Sequence, residues 1–293
     1  MAPTKQKEID RPFALVECPR DAMQGWKTFI PTNDKIEYIN SLLEVGFDTI
    51  DFGSFVSAKA IPQMADTKEV ITALDLSTTK SKLLAIVANL RGAEEAMAYE
   101  AITYLGFPFS ISPTFQLRNT NSTMEESIDT VKNIQSLCVQ HGKQLVVYLS
   151  MGFGNPYGDA YNEETLIRWA GVMTAMDIKT LSLADTVGVA TPEQISFALD
   201  TLIPLYPGTL FGVHLHSTPD NWRAKMEAAI KAGCTRFDGA LKGVGGCPMA
   251  GNDLVGNMDT EQIIRLLEEK EMIGGLNKKA LQRSLSLASK IFR

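Results

Sequence analysis

Eight short apolar runs recur along the chain, each followed by a stretch of helical character: FALVECP, FDTIDFG, KLLAIVA, FPFSISP, QLVVYLS, KTLSLAD, LFGVHLH and RFDGALKG. Between them lie segments such as TNDKIEYINSLLEVG, STMEESIDTVKNIQSLCVQHG and TPDNWRAKMEAAIKAG. Several open on Ser, Thr or Asp and close on Gly, as capped helices do. Strands that alternate with helices must be joined by crossovers, which makes the sheet parallel. Eight such units within about 240 residues match a closed (β/α)8 barrel of the α/β class. A doubly wound open sheet is the alternative, but no GxGxxG follows the first strand. The segment from about residue 260 to 293 reads as helical and is expected to pack outside the barrel. With no repeat, low-complexity tract or linker, residues 1–293 read as a single catalytic domain.

Composition narrows the partners. Of 293 residues 45% are hydrophobic and 21% charged, ordinary for a globular protein, and the net charge of −6 comes from mixed acids and bases. Nothing in it favours nucleic acid or an anionic membrane surface. Cys18, Cys138, Cys234 and Cys247 form no CxxC pair, so free thiols in a reducing compartment are expected. No apolar run approaches the roughly 20 residues of a membrane span. The opening MAPTKQKEIDRPF has no apolar signal core, and cytoplasm is the expected location.

In such a barrel the chemistry gathers at the C-terminal ends of the strands. The first strand ends in Arg20 and Asp21, the second in Asp51, the sixth in Asp185, and the seventh in His214 and His216. The eighth runs into KGVGGCPMAGNDLVGN, which carries Cys247, Asn252, Asp253 and Asn257. A packed structural core would not collect such side chains at one end of separate strands.

His214 and His216 stand two apart on a strand and therefore point to one face. They read either as a metal-binding pair or as two satisfied polar groups at a strand end. Imidazole is the commonest metal ligand, and a barrel mouth is where one is needed. The third histidine, His141, follows a helix and precedes Gly142, which suits a partner for the helix C-terminus. Asp21 and an Asn oxygen then complete a mixed nitrogen and oxygen set. That set suits Mg²⁺ or Mn²⁺, or loosely Zn²⁺, rather than a closed structural zinc site. Arg20 reads either as a salt-bridge partner of Asp21 or as an oxyanion donor beside the metal. Cys247, preceded by glycines and followed by Pro248, reads as an inert thiol or as an acid carried on a closing loop.

With these residues laid out, the chain resembles the 3-hydroxy-3-methylglutaryl-CoA lyases, metal-dependent (β/α)8 enzymes of the metallolyase superfamily. The likeness runs over nearly the whole chain. It is carried by PRDAMQ from Pro19, SFVSAKAIPQMAD (54–66), NTNSTMEES (119–127), GNPYG (154–158), SLADTVGVATP (182–192), HLH (214–216), GGCPMA from Gly245 and GNMDTE from Gly256. The resemblance implies that Asp21, His214, His216 and Asn257 bind the metal and that Arg20 steadies a developing enolate. It implies a catalytic role for Cys247, for Asp51 where the lyases carry a glutamate, and for Asp185 and Glu261. Lys27 and Lys59 match basic residues near the acyl-CoA site. The chain departs from the family where Ala22 replaces a glycine, Trp26 replaces an acidic residue and Ser217 follows HxH in place of Asp. One more residue than expected also separates Cys247 from Asn257.

The reaction so implied is a retro-Claisen cleavage of a tertiary 3-hydroxyacyl-CoA to acetyl-CoA and a keto acid, acetoacetate for the parent substrate. The family also implies a homodimer or higher oligomer. Three rivals are weighed against it. A Claisen-condensing synthase of the same superfamily would use the same ligands in reverse, but such enzymes usually carry a regulatory domain, for which no segment is seen. A dinuclear hydrolase would want more imidazoles. A catalytically dead barrel used as a scaffold would be expected to have lost a ligand or the cysteine, and all are present.

Overall fold

Neighbouring residues of one strand belong to two different cores. Leu83, Ala85, Leu145, Val147 and Leu149 join the large core beneath the helices. Leu84, Ile86, Val146 and Tyr148, which alternate with them, form a separate inner cluster with Val56 and Tyr104. Successive side chains on a strand point to opposite faces, so a strand with both faces apolar is covered on both sides. The structure, a computed structural model describing residues 13–246 and 255–293, shows what covers them. Eight parallel strands close on themselves, with the helices outside and the inner cluster in the lumen.

The strands are β1 (Ala14–Glu17), β2 (Thr49–Ser54), β3 (Lys82–Ile86), β4 (Ile102–Ser110), β5 (Gln144–Ser150), β6 (Thr180–Ala184), β7 (Leu210–His214) and β8 (Arg236–Gly239). They pair in sequence order, and β8 closes on β1 with Ala14 opposite Arg236 and Glu17 opposite Gly239. The fourth strand begins earlier than FPFSISP predicts, at Ile102. Gly106 interrupts its pattern in the sequence, yet it is the residue that fits there. A Cβ on it would come within 2.5 Å of Ile86 and 3.0 Å of Tyr148 in the crowded lumen.

Of the helix starts quoted from the sequence, Thr123 keeps its predicted cap, whereas Thr32–Leu43 follows Pro31 and Trp222–Lys231 follows Asn221, neither with a side-chain cap hydrogen bond. Thr123 and Glu126 form a reciprocal capping box at the start of Met124–Gln140, and Thr191 and Gln194 do the same before Pro192–Leu205. His141 is the C-terminal cap of the first of these helices. The C-terminal region forms two helices, Thr260–Glu269 and Lys278–Ile291. The second packs on the helix Thr32–Leu43 through a buried Ser41–Ser284 hydroxyl pair at 2.8 Å. Phe292 adds edge contacts with Trp26 and Tyr38. No described helix is long and apolar enough to cross a membrane.

Candidate active site

β1 is followed at once by a short helix, Pro19–Gln24, with proline in its first turn. This places Arg20 and Asp21 over the barrel mouth, both nearly buried. One strand away, across β8, His214 ends β7, and His216 pairs across an isolated antiparallel bridge with Asn257. The period-two expectation holds: Phe211, Val213 and Leu215 enter the outer core, while the two histidines point the other way. Ligand atoms of Asp21, His214 and His216 lie within 4.8 Å of one another.

Asn257 completes the set from chain that returns after the eighth strand. Its amide nitrogen donates to Asp21 Oδ2 at 2.7 Å and to the carbonyl of Val244 at 2.9 Å. Its Oδ1 is buried and has no hydrogen-bond partner among the described residues. A buried carbonyl oxygen without a partner costs free energy unless something else is coordinated there. One carboxylate and two imidazoles stand beside it, and the chemistry of the four residues named from the sequence fits a divalent cation. Gly245 makes the convergence possible. At φ +101° it brings backbone so close that a Cβ would sit 2.7 Å from both the Asn257 amide and the Asp21 carbonyl.

Two of these candidate ligands, Asp21 and His214, are oriented by neighbours. Gln24 donates to Asp21 Oδ1 at 2.6 Å and Arg20 Nη1 donates to the same oxygen at 2.9 Å. Burial would push the Asp21 carboxyl up, but Arg20 and both histidines outweigh it and hold Asp21 below its ordinary range. His214 Nδ1 lies 3.3 Å from Asp238 Oδ2, whose other oxygen accepts from Arg236 at 2.7 Å. Asp238 too is held low, because Arg236 overcomes the effect of burial. An ionised Asp238 accepts Nδ1–H and leaves the Nε2 lone pair free, the arrangement metal-binding histidines use. Burial, reinforced by His214, lowers His216 to about 4, so it is a neutral imidazole at physiological pH. Cys18, His214 and Asp238 also lie at ligand distance from one another. A cation there would face the Arg236 guanidinium, so this group supports the site rather than forming a second one.

Arg20 is the salt-bridge partner of Asp21 that one reading of the sequence expects, and it also reaches the cavity. Nε and Nη2 clasp Asp51, the shortest contact being 2.5 Å, while Nη1 takes Asp21. Of the five guanidinium N–H groups, one on each terminal nitrogen remains beyond these contacts, and Arg20 lines the cavity. Burial acts against the cation, yet Asp51 and Asp21 keep it charged above its already high ordinary value.

The cavity at the barrel mouth has a volume of about 380 Å³. Arg20, Asp21, Gln24, His214 and His216 form one side, and Ile61, Ile86, Pro108 and Phe115 are among the apolar residues opposite. Arg118 also lines it and stacks on Tyr157, 4.7 Å from the ring centre. The motifs GNPYG and NTNSTMEES thereby acquire structural roles. Asn155 Oδ1 accepts from the backbone of Tyr157 and Asp159, and Asp159 accepts from Thr114 at the start of the helix Pro113–Thr120 that carries Arg118.

Several residues assigned from the sequence sit elsewhere. Asp51 is buried behind Arg20 and does not line the cavity, so it acts through the guanidinium. Asp185 is likewise buried, with Oδ2 on Lys225 Nζ at 2.7 Å and Oδ1 accepting from the Ala190 amide. Glu261 lies half-buried at the start of Thr260–Glu269; burial and then Asp259 raise its carboxyl, and it does not line the cavity. Lys27 and Lys59 are exposed, Lys59 standing next to Ala60 and Ile61 of the cavity wall. Cys247, Asn252 and Asp253 lie outside the described residues. Gln24, Asp238, Arg236, Arg118 and Lys225 were not picked out from the sequence. Arg236 and Asp238, two apart in RFDGALKG, carry the same period-two signal as the histidines.

Known proteins resemble this chain over most of its length. Residues 15–287 match the HMGL-like family model. The hydroxymethylglutaryl-CoA lyase YngG of Bacillus subtilis is 34% identical over 257 residues, covering 87% of this chain and 84% of that protein. The cytoplasmic 3-hydroxy-3-methylglutaryl-CoA lyase of Rattus norvegicus is 32% identical, covering 85% and 72%. Among solved structures, the B. subtilis HMG-CoA lyase superimposes with a TM-score of 0.89 at 31% identity, covering 96% of this chain and 94% of that one. An HMG-CoA lyase from Acinetobacter baumannii, in complex with coenzyme A and 3-methylmalate, gives 0.88 at 31% identity, covering 96% and 92%. Matched over most of its length by the family model and by relatives above 30% identity, this chain is a member of the HMGL-like family.

Proposed function

We propose that the protein is a divalent-metal-dependent carbon–carbon lyase cleaving 3-hydroxy-3-methylglutaryl-CoA, or a close 3-hydroxyacyl-CoA, to acetyl-CoA and a keto acid. The observation that carries the reading is the partnerless, buried Oδ1 of Asn257 beside Asp21, His214 and His216 on a cavity that Arg20 also lines. The relatives act on this substrate by name, and one was solved with coenzyme A.

Asp21, His214, His216 and Asn257 would hold the metal, with Mg²⁺ or Mn²⁺ favoured by the mixed oxygen and nitrogen set. When bound it supplies Lewis-acid polarisation of the substrate hydroxyl and a template for the bond to be broken. The chain's own residues do the rest. As a general base takes up the hydroxyl proton, the C3–O bond becomes a carbonyl, the C2–C3 bond breaks and its electrons pass to the thioester oxygen. Arg20, fixed in place by Asp51, offers its remaining N–H groups to that developing negative charge. Protonation at C2 then yields acetyl-CoA, and Cys247 is the proposed acid. Arg118 is the other cation among the described cavity residues and is the proposed partner of the distal carboxylate of the acyl group. Asp185 is proposed to act through Lys225 on the His216 backbone and Glu261 to act from outside the cavity, and Lys27 and Lys59 are the proposed partners of the CoA portion. The proposed setting is a reducing cytoplasm, and the oligomer a homodimer or higher.

The test is incubation of the purified protein with Mg²⁺ or Mn²⁺ and a panel of 3-hydroxyacyl-CoAs. Metal-dependent release of acetyl-CoA with acetoacetate is expected from 3-hydroxy-3-methylglutaryl-CoA. Absence of acetyl-CoA from every member of the panel would overturn the reading.

A further inference from the structure

A lysine is buried behind the metal-binding corner. Lys225, on the helix Trp222–Lys231, is 2% exposed, which is rare for its type, and it extends beneath the end of β7. Its ammonium has three protons and three acceptors: Asp185 Oδ2 at 2.7 Å, the His216 carbonyl at 2.8 Å and the Gly188 carbonyl at 3.0 Å. A simple salt bridge would need only the first. The other two are backbone oxygens from different strand ends, one of them belonging to a metal-binding residue.

Those carbonyls lead to two ligands. His216 is pinned through its backbone, by Lys225 at its own oxygen and by the returning chain beside it. Ser217 N donates to the Gly256 carbonyl at 3.0 Å, and Met258 N donates to the Leu215 carbonyl at 3.1 Å. Gly188, at φ +74°, is the surface against which Val255 rests, and a Cβ there would approach the Val255 side chain to 2.7 Å. Val255 stands two residues before Asn257. One ammonium therefore ties down the backbone of His216 directly and, through Gly188 and Val255, the approach of Asn257.

We propose that Lys225 is a positioning residue for the metal site, setting His216 and the Asn257 segment in register, with Asp185 serving to keep the buried ammonium paired. This rests on the metal-site reading above, and the two are separable by experiment. Lys225→Met alone strands a buried carboxylate, so the informative variant is Lys225→Met with Asp185→Asn, in which the new amide oxygen still accepts from the Ala190 backbone and no charge is left unpaired. The control is Lys35→Met with Asp66→Asn, which removes a comparably buried ion pair (2.7 Å) in another part of the fold.

Mn²⁺ binding is measured by calorimetry and by the spin-resonance spectrum of the bound ion, and metal-free stability by thermal unfolding in chelator. The Lys225/Asp185 variant is expected to bind Mn²⁺ about 10- to 100-fold more weakly, with an altered spectrum. The control is expected to lose stability while binding Mn²⁺ as the wild type does. Wild-type affinity in the Lys225/Asp185 variant would overturn the proposal, as would equal weakening in both double variants. Failure of the wild type itself to bind Mn²⁺ would instead overturn the metal-site reading.

Discussion

Asn257 donates its amide to Asp21 Oδ2 over 2.7 Å, and the carbonyl oxygen of the same side chain is buried with no partner among the described residues. The two residues are 236 positions apart in sequence. Their contact orients an oxygen that protein chemistry would otherwise avoid leaving bare. Asn257→Asp should put two carboxylates in contact and raise the pKa of one of them. Asn257→Ala should remove a ligand. Mn²⁺ titration is expected to show weaker binding for the alanine variant at neutral pH while the circular dichroism spectrum is kept.

His214→Ala and His216→Ala are expected to abolish cleavage and weaken Mn²⁺ binding while the barrel remains folded. Both point into the lumen side of the mouth rather than into the outer core, so their loss leaves the helix–sheet packing intact. Metal titration that matched the wild type would remove them from the ligand set.

Arg20→Gln should keep the fold and the metal and lose roughly 10²- to 10³-fold in kcat, the usual cost of removing an oxyanion donor. Asp51→Asn should reproduce part of that loss, because Asp51 is reached only through Arg20. The pair of kcat values, with Mn²⁺ affinity measured alongside, checks this. A drop of less than about tenfold for Arg20→Gln would leave it a salt bridge and nothing more.

Cys247 should be the first thiol alkylated at neutral pH. The other three cysteines are buried, with Cys18 pushed well up and Cys138 and Cys234 to about 12, each chiefly by burial. Peptide mapping by mass spectrometry should find the label on Cys247, with activity falling in step. First labelling of any of the others would count against the proposed acid.

Glu17 predicts a pH effect on stability. It is fully buried facing outward from β1, accepts from the Leu241 amide and pairs with Thr260, and burial raises it to about 8 from an ordinary 4.5. Below pH 4.5 both folded and unfolded chains hold the proton and the stability is whole. Between 4.5 and about 8 only the folded chain holds it, so stability falls as pH rises, by up to about 1.4 kcal/mol per unit. Glu17→Gln keeps a partner for Thr260 and an acceptor for Leu241 without a titrating proton. Denaturant midpoints measured from about pH 5 to 8 should therefore decline less steeply in that variant than in the wild type.

The sequence by itself determined the barrel and brought most of the candidate ligands to one face, because both are written in short-range periodicity. Strand alternation separates Leu83 from Leu84 and sends His214 and His216 to one face, whatever the rest of the chain does. The rule that strand ends converge then supplied Arg20 and Asp21. Only the tertiary structure decided what each charge does. Asp51 and Asp185 sit at strand ends like Asp21, yet they turn to Arg20 and Lys225 instead of the cavity. Lys225 itself reads as one more polar residue on a helix until the fold buries it under His216. Such choices depend on which buried cation lies within about 3 Å of which carboxylate. That distance is set by packing between segments remote in sequence, where desolvation makes every unpaired charge expensive.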